Sequence, residues 1–318
     1  MKAFAYVTAD DFDAASRALA SAGPRAVAKA GGTDLLALLK SRLLEPDEVV
    51  NLLRAKRDDV KGEVSALTTL AEVAEDPWIK ENFPAVARAA IEAATPQVRN
   101  TATVGGNLCQ HTRCWYFRDR NYACFKRGTG DCSAAPDDAQ NRYHAIFPHK
   151  RCVSAHPSNL APALIAVGAK ALCVHPEGGR TLDAELLYDE GPSGRRSDTV
   201  LREGELIRAV LLEPSPLARR STYLEFRERQ SFDFAIASVA AALDLEGKTV
   251  RDVRIVCGGV APIPYRAKAA EALLRGKKLD IDAAAAAAVA GAAPLKDNAY
   301  KVPILKQLVR RALAEIAS

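Results

Sequence analysis

Several absences narrow the field before any motif is considered. No run approaches the ~18 consecutive apolar residues of a membrane span, which excludes a helical anchor within this sequence. The net charge is only +5, and the basic pairs Arg195-Arg196, Arg219-Arg220 and Arg310-Arg311 are short and separated by acids. A nucleic-acid surface needs a concentrated basic stripe with interleaved aromatics, so no nucleic-acid partner is expected. The start, MKAFAYVTADDFDAA, has acids by position 10 and no apolar signal core, so the chain is expected to be cytoplasmic, or periplasmic by co-export with a signal-bearing partner. Neither G-x-G-x-x-G nor a P-loop occurs, which removes the fingerprint of a Rossmann or NTPase fold. Histidines number only five, and the one short cysteine spacing, Cys109-x4-Cys114, has no second knuckle to pair with as a structural zinc site would need. Nothing suggests an acid/base pair acting on a substrate, and no catalytic residue is assigned.

What is present is 318 residues with 48% hydrophobic content, enough for about two or three domains. Residues 10–22 read as a helix with an aspartate at its cap. PRAVAKAGGTDLLALLK then runs strand, glycine turn, helix, and EPDEVVNLL at 45–53 returns as a strand, so residues 1–55 form a βαβ-like unit with a small parallel sheet. Residues 56–217 form a second unit. In it 84–95 is helical, TATVGGNL at 101–108 is strand-like, 158–174 is a helix followed by a strand, and 204–216 is a strand stopped by prolines. Residues 218–318 form a third, with strand-like runs at 221–245 and from 250, and with helices at the Ala283–Ala288 run and the amphipathic C-terminus.

Two glycine pairs follow apolar runs, KAGGTDLL at 29–36 and TVGGNL at 103–108. Glycine permits positive φ and lets backbone N–H groups approach an anion with no Cβ in the way. A strand–Gly-Gly-Thr–helix order also points a helix N-terminus at that anion. Each pair alone is most simply a turn; two together, with Thr33, Thr103 and Asn107 beside them, suit a diphosphate. Seven cysteines are present, four of them between Cys109 and Cys132, and such clustering argues for metal or redox chemistry over structural disulfides. The residues alone leave iron–sulfur, zinc and a merely local core open.

AGGTDLL followed by TVGGNL resembles the FAD-binding medium subunit of the xanthine dehydrogenase family of molybdenum hydroxylases. The likeness runs the whole chain, through HPSNLAPAL at 156–164, SFDFAIASVAAAL at 231–243, GGVAPIPYRA at 258–267 and LVRRAL near the end. It implies an α+β fold: a vanillyl-alcohol-oxidase (PCMH) type FAD domain of two α/β subdomains, 1–55 and 56–217, then a C-terminal α+β domain, 218–318, with a small antiparallel sheet. Within the family the chain is most similar to the flavin subunit of bacterial periplasmic-type aldehyde oxidoreductases, which carry an insertion holding a [4Fe–4S] cluster; such an insertion would span about 109–155 here. The flavin subunit of 4-hydroxybenzoyl-CoA reductase is also similar.

The resemblance implies that Val27, Ala28, Lys29, Ala30, Gly31, Gly32, Thr33, Asp34 and Leu35 wrap the FAD diphosphate. Thr101, Thr103, Gly105, Gly106 and Asn107 would form the second flavin loop, with Asn159 (aspartate in the family) and Ile207 as further contacts. It selects Cys114, Cys124, Cys132 and Cys152 as cluster ligands, C-x9-C-x7-C-x19-C, leaving out Cys109 and the strand-borne Cys173 and Cys257. The aromatics Trp115, Tyr116, Phe117, Tyr122 and Phe125 would shield the cluster. The implied protein is an oxidoreductase subunit of a heterotrimer converting aldehyde to carboxylic acid. A large molybdenum-cofactor subunit would oxidise substrate, a small [2Fe–2S] subunit would relay electrons, and this chain would pass them to an external acceptor. The other possibilities are the flavin subunit of another molybdenum hydroxylase, a free-standing PCMH-type flavin oxidase, or a metal-stapled interaction module. The cysteine insertion and the first glycine loop, far apart in sequence, are expected to act separately.

Overall fold

A computed structural model describes residues 1–57, 60–230 and 232–318. Ser231, at the head of one motif above, lies outside the described residues.

The chain builds three sheets in order of sequence. β1 (Ala5–Thr8), β2 (Ala26–Lys29) and β3 (Glu48–Asn51) make a parallel sheet in the order β1-β3-β2. Parallel pairing requires crossovers, supplied by the helices Phe12–Ala22 and Leu35–Lys40. Asp11 starts the first of these by accepting the Ala14 N–H at 2.6 Å.

β4 (Glu63–Ser65), β5 (Lys170–Val174), β6 (Arg180–Asp183) and β7 (Leu206–Leu211) form an antiparallel sheet in the order β4-β7-β5-β6. β8 (Ser221–Phe226), β9 (Ala237–Glu246), β10 (Thr249–Gly258) and β11 (Tyr265–Arg266) form another, in the order β11-β10-β9-β8. The architecture is therefore mixed α and β with antiparallel sheets, as expected. The helix Leu160–Val167 packs against β8, β9 and β10, and every one of its residues is buried. That position explains why its sequence, LAPALIAV, shows no polar face. The C-terminal sheet is covered by the helices Lys268–Leu274, Ile281–Val289, which contains the alanine run, and Lys301–Ala317.

One expected strand is absent. TVGGNL is a short helix, Val104–Leu108, in which the Thr103 hydroxyl accepts the Gly106 N–H at 3.2 Å. Alternating threonines at 101 and 103 mimic strand periodicity, but a threonine hydroxyl that captures the following N–H groups caps a helix instead. The stretch from Cys109 to Ala155 contains one short helix, Trp115–Arg118, and otherwise runs as loop. Side chains hold it: the Arg127 guanidinium donates to the carbonyls of Tyr116 (2.9 Å), Phe117 (2.6 Å), Asp119 (2.7 Å) and Tyr122. Among the described residues no helix is long and apolar enough to cross a membrane.

Candidate functional site

The first glycine loop leaves the end of β2 and enters the helix Leu35–Lys40. Gly32 has φ +74°, a conformation that disfavours any side chain. A Cβ on Gly31 would fall on the Thr101 carbonyl, so the two glycine loops touch through their backbones. Their meeting leaves a cavity of about 320 Å³, walled by Val27, Ala28, Lys29, Ala30, Gly31, Gly32, Thr33, Asp34 and Leu35 from the first loop and by Thr103 and Gly106 from the second. A second cavity of about 780 Å³ shares Leu44, Cys109 and His111 with it and carries Arg42, Arg120, Lys126, Arg127 and Arg196 on its walls. The two cavities adjoin at these shared residues; the first presents bare backbone, as a diphosphate needs, and the second is lined by basic side chains together with Glu45 and Asp198, the latter paired with Lys126.

The remaining expected contacts lie outside the first cavity. Thr101 backs Gly31, and Gly105 packs against Ala66. Asn107 is buried, its side-chain oxygen accepting from the Ser158 hydroxyl at 2.6 Å and the Leu160 N–H at 3.3 Å, so it ties the second loop to the buried helix. Asn159 donates to the Tyr223 hydroxyl at 3.2 Å and to Glu225 at 2.8 Å. Ile207 sits in β7 within the core, 5% exposed.

Asp34 does more than line the groove. Its carboxylate accepts the His111 N–H at 2.9 Å, faces His111 Nδ1 at 3.1 Å, pairs with Arg113, and accepts from Arg118 at 2.9 Å. Burial alone would raise this carboxyl, but His111, Arg113 and Arg118 together hold it well below the usual carboxylate range. The helix that Asp34 precedes then lays Leu38 against Phe117 and Cys124. The flavin-type loop and the cysteine insertion are thus one packed unit, contrary to the expectation that they act separately. The reason is tertiary: about eighty residues of chain return to the same place, and sequence separation carries no sign of it.

Within the insertion, four cysteines share one neighbourhood. The Cys132 thiol is held down chiefly by a hydrogen bond with Cys152, whose own thiol is pushed up by that bond and by burial. Cys114 is pushed up to about 12, by burial first, with Cys152 and Cys124 adding to it against the N–H groups of Phe117 and Tyr116. Cys109 lies apart, pushed up to about 12 by burial first, with Cys173 and Asp198 nearby adding to it. Cys173 and Cys257 are buried in strands. Among the described residues no three His, Cys, Asp or Glu side chains are arranged to hold a single metal ion. A cuboidal iron–sulfur cluster makes a different demand, because each thiolate binds its own iron, so Cys132 and Cys152, hydrogen-bonded to each other here, would have to move apart to hold one. The donor set and its loop setting suit such a cluster. Tyr116, Phe117 and Phe125 are buried beside these cysteines, whereas Tyr122 is exposed.

Sequence spacing did not point to His144, Asn298 or Lys301. His144 Nε2 lies 3.1 Å from the Cys114 sulfur, and burial holds its imidazole down to about 4. Lys301, 0% exposed, donates to the carbonyls of Gly259 (2.6 Å), His144 (3.0 Å) and Tyr143 (3.3 Å). A further cavity of about 580 Å³ opens beside them, lined by Cys114, Trp115, Tyr143, His144, His156 and Phe234 among others.

Comparison with known proteins accords with this geometry. Residues 2–214 match the model described as the FAD binding domain in molybdopterin dehydrogenase, and residues 221–316 match the CO dehydrogenase flavoprotein C-terminal domain. The chain is 33% identical to the aldehyde oxidoreductase FAD-binding subunit PaoB of Escherichia coli (strain K12), over 99% of this chain and 98% of that one. It is 28% identical to the carbon monoxide dehydrogenase medium chain of Hydrogenophaga pseudoflava, over 93% of this chain and 90% of the relative. Among solved structures it resembles carbon monoxide dehydrogenase from Hydrogenophaga pseudoflava lacking the Mo-pyranopterin moiety of the molybdenum cofactor, with TM-score 0.75, 26% identity, and coverage of 99% and 97%.

Proposed function

The chain belongs to the family of FAD-binding subunits of molybdenum hydroxylase-type complexes, and from that premise we propose that it is the FAD- and [4Fe–4S]-carrying electron-transfer subunit of a heterotrimeric aldehyde oxidoreductase. Its partners are a large molybdenum-cofactor subunit, where aldehyde becomes carboxylic acid, and a small [2Fe–2S] subunit that relays the electrons here. The observation that carries the proposal is the packing of a four-cysteine insertion directly on the glycine loop that walls the dinucleotide groove. The likeness to an aldehyde oxidoreductase FAD-binding subunit favours aldehydes as the substrate class.

Val27 to Leu35 would hold the diphosphate by backbone, with Thr103 and Gly106 on the opposite wall, and the charged wall beyond Cys109 would border the rest of the dinucleotide. When bound, the flavin supplies the ability to take electrons singly from iron–sulfur centres and deliver them in pairs. Cys114, Cys124, Cys132 and Cys152 would hold the cluster as thiolates, which requires Cys114 to give up a proton that burial favours and Cys152 one that its bond with Cys132 and burial favour.

The test is anaerobic purification followed by flavin, iron and zinc assays on the same sample. The expected outcome is stoichiometric FAD with about four irons per chain. Zinc without iron would overturn the cluster assignment. Absence of flavin from an iron-loaded chain would overturn the groove assignment. Reduction of the chromophores by aldehyde only when the large and small subunits are present checks the partner assignment.

A further inference from the structure

His144 holds a position that its own environment makes costly. The residue is 2% exposed and its Nδ1 has no hydrogen-bond partner among the described residues. A buried nitrogen left unpaired loses the hydration it had in the unfolded chain, so some other contact of the ring must offset that loss. The contact available is Nε2 to the Cys114 sulfur at 3.1 Å. A thiolate can only accept a hydrogen bond, so beside one the proton must sit on Nε2, and Nδ1 is then the bare lone pair.

The ring is also held in place from two sides. Trp115 meets it edge-on, with ring centres 5.5 Å apart, and Tyr116 lies at 6.1 Å. On the backbone side, the His144 carbonyl accepts from Lys301 Nζ at 3.0 Å and from Asn298 Nδ2 at 3.2 Å, both from the C-terminal domain. The histidine is therefore aimed at one sulfur by residues from two separate parts of the chain.

We propose that His144 is a positioning residue that donates Nε2–H to the Cys114 thiolate and so sets the reduction potential of the cluster. The inference rests on the reading of Cys114, Cys124, Cys132 and Cys152 as cluster ligands. Hydrogen bonds to ligand sulfurs are among the levers that fix cluster potentials. A donor stabilises the more negative, reduced form, so its presence raises the potential and makes the cluster a better electron acceptor.

The decisive experiment is an EPR-monitored potentiometric titration of the assembled complex, with iron and flavin assayed on the same samples. His144→Phe keeps a flat ring between Trp115 and Tyr116 but has no N–H, and His144→Gln restores a donor. The expected result is full iron in His144→Phe, a midpoint shifted to more negative potential, and partial return of that shift in His144→Gln. An unchanged midpoint in iron-loaded His144→Phe overturns the inference. Should His144→Phe lose its iron, wild type labelled with 15N-histidine decides by pulsed EPR. A weak coupling typical of a hydrogen-bonded nitrogen, lost in His144→Gln, supports the inference. No histidine nitrogen coupling, or one as large as a coordinated nitrogen gives, overturns it. Wild type with flavin but no iron removes the cluster reading itself, which is a different result from an unchanged midpoint.

Discussion

Gly31 has no room for even one methyl group, because a Cβ there would strike the Thr101 carbonyl. Backbone cannot step aside as a flexible side chain can, so Gly31→Ala must push the two glycine loops apart. The expected outcome is at least a tenfold loss of FAD affinity with the far-UV spectrum preserved, measured by flavin titration of the stripped protein; unchanged affinity would mean that the loops do not need to touch. Glycine pairs are visible in sequence, but which glycine serves conformation and which serves contact is not. Gly32 needs its positive φ, and Gly31 needs its missing side chain. Asp34 shows the same limit: its place in the loop suggested a flavin contact, and its side chain turned out to bind His111, Arg113 and Arg118.

At the scale of elements, the short helix Leu35–Lys40 couples the groove to the insertion. Leu38 is 0% exposed and packs with Phe117 and Cys124. Leu38→Ala should cost about 2–5 kcal/mol by the usual burial-plus-cavity effect. More tellingly, it should lower flavin and iron retention together, measured per chain after desalting. A variant that loses stability but keeps both groups in full would show the two sites to be independent after all. By the same coupling, Cys124→Ser should weaken FAD binding as well as lose iron. The short helix Val104–Leu108 carries the opposite lesson: a local rule, threonine capping, overrode an apparent strand period and could have been applied from the sequence.

At the scale of the molecule, the C-terminal domain clamps the end of the insertion. Asn298 donates to the carbonyls of Asn141, His144 and Ala145, and Lys301 donates to those of Tyr143, His144 and Gly259. An ammonium group in such a place is costly, and burial depresses it to about 7. Lys301→Met should therefore remove a disfavoured charge and yet leave buried carbonyls unpaired, at about 1–3 kcal/mol for each group. Net destabilisation is expected in chemical denaturation, with faster iron loss under a chelator. A more stable variant with unchanged iron retention would show the clamp to be dispensable.

By itself the sequence determined the helix and strand run of residues 10–53, the buried helix before β5, the later strands at 204–216 and beyond 221, the two glycine loops, the four cysteines and the family to which they point. These are properties of short windows, where periodicity, glycine and cysteine spacing act locally. Only the tertiary structure decided that Asp34 and Leu38 bind the insertion, that His144 aims at Cys114, and that Lys301 and Asn298 hold it there. Those contacts join residues that lie far apart in the chain. Burial, which gives each of them its energetic weight, is set by what the rest of the fold stacks on top.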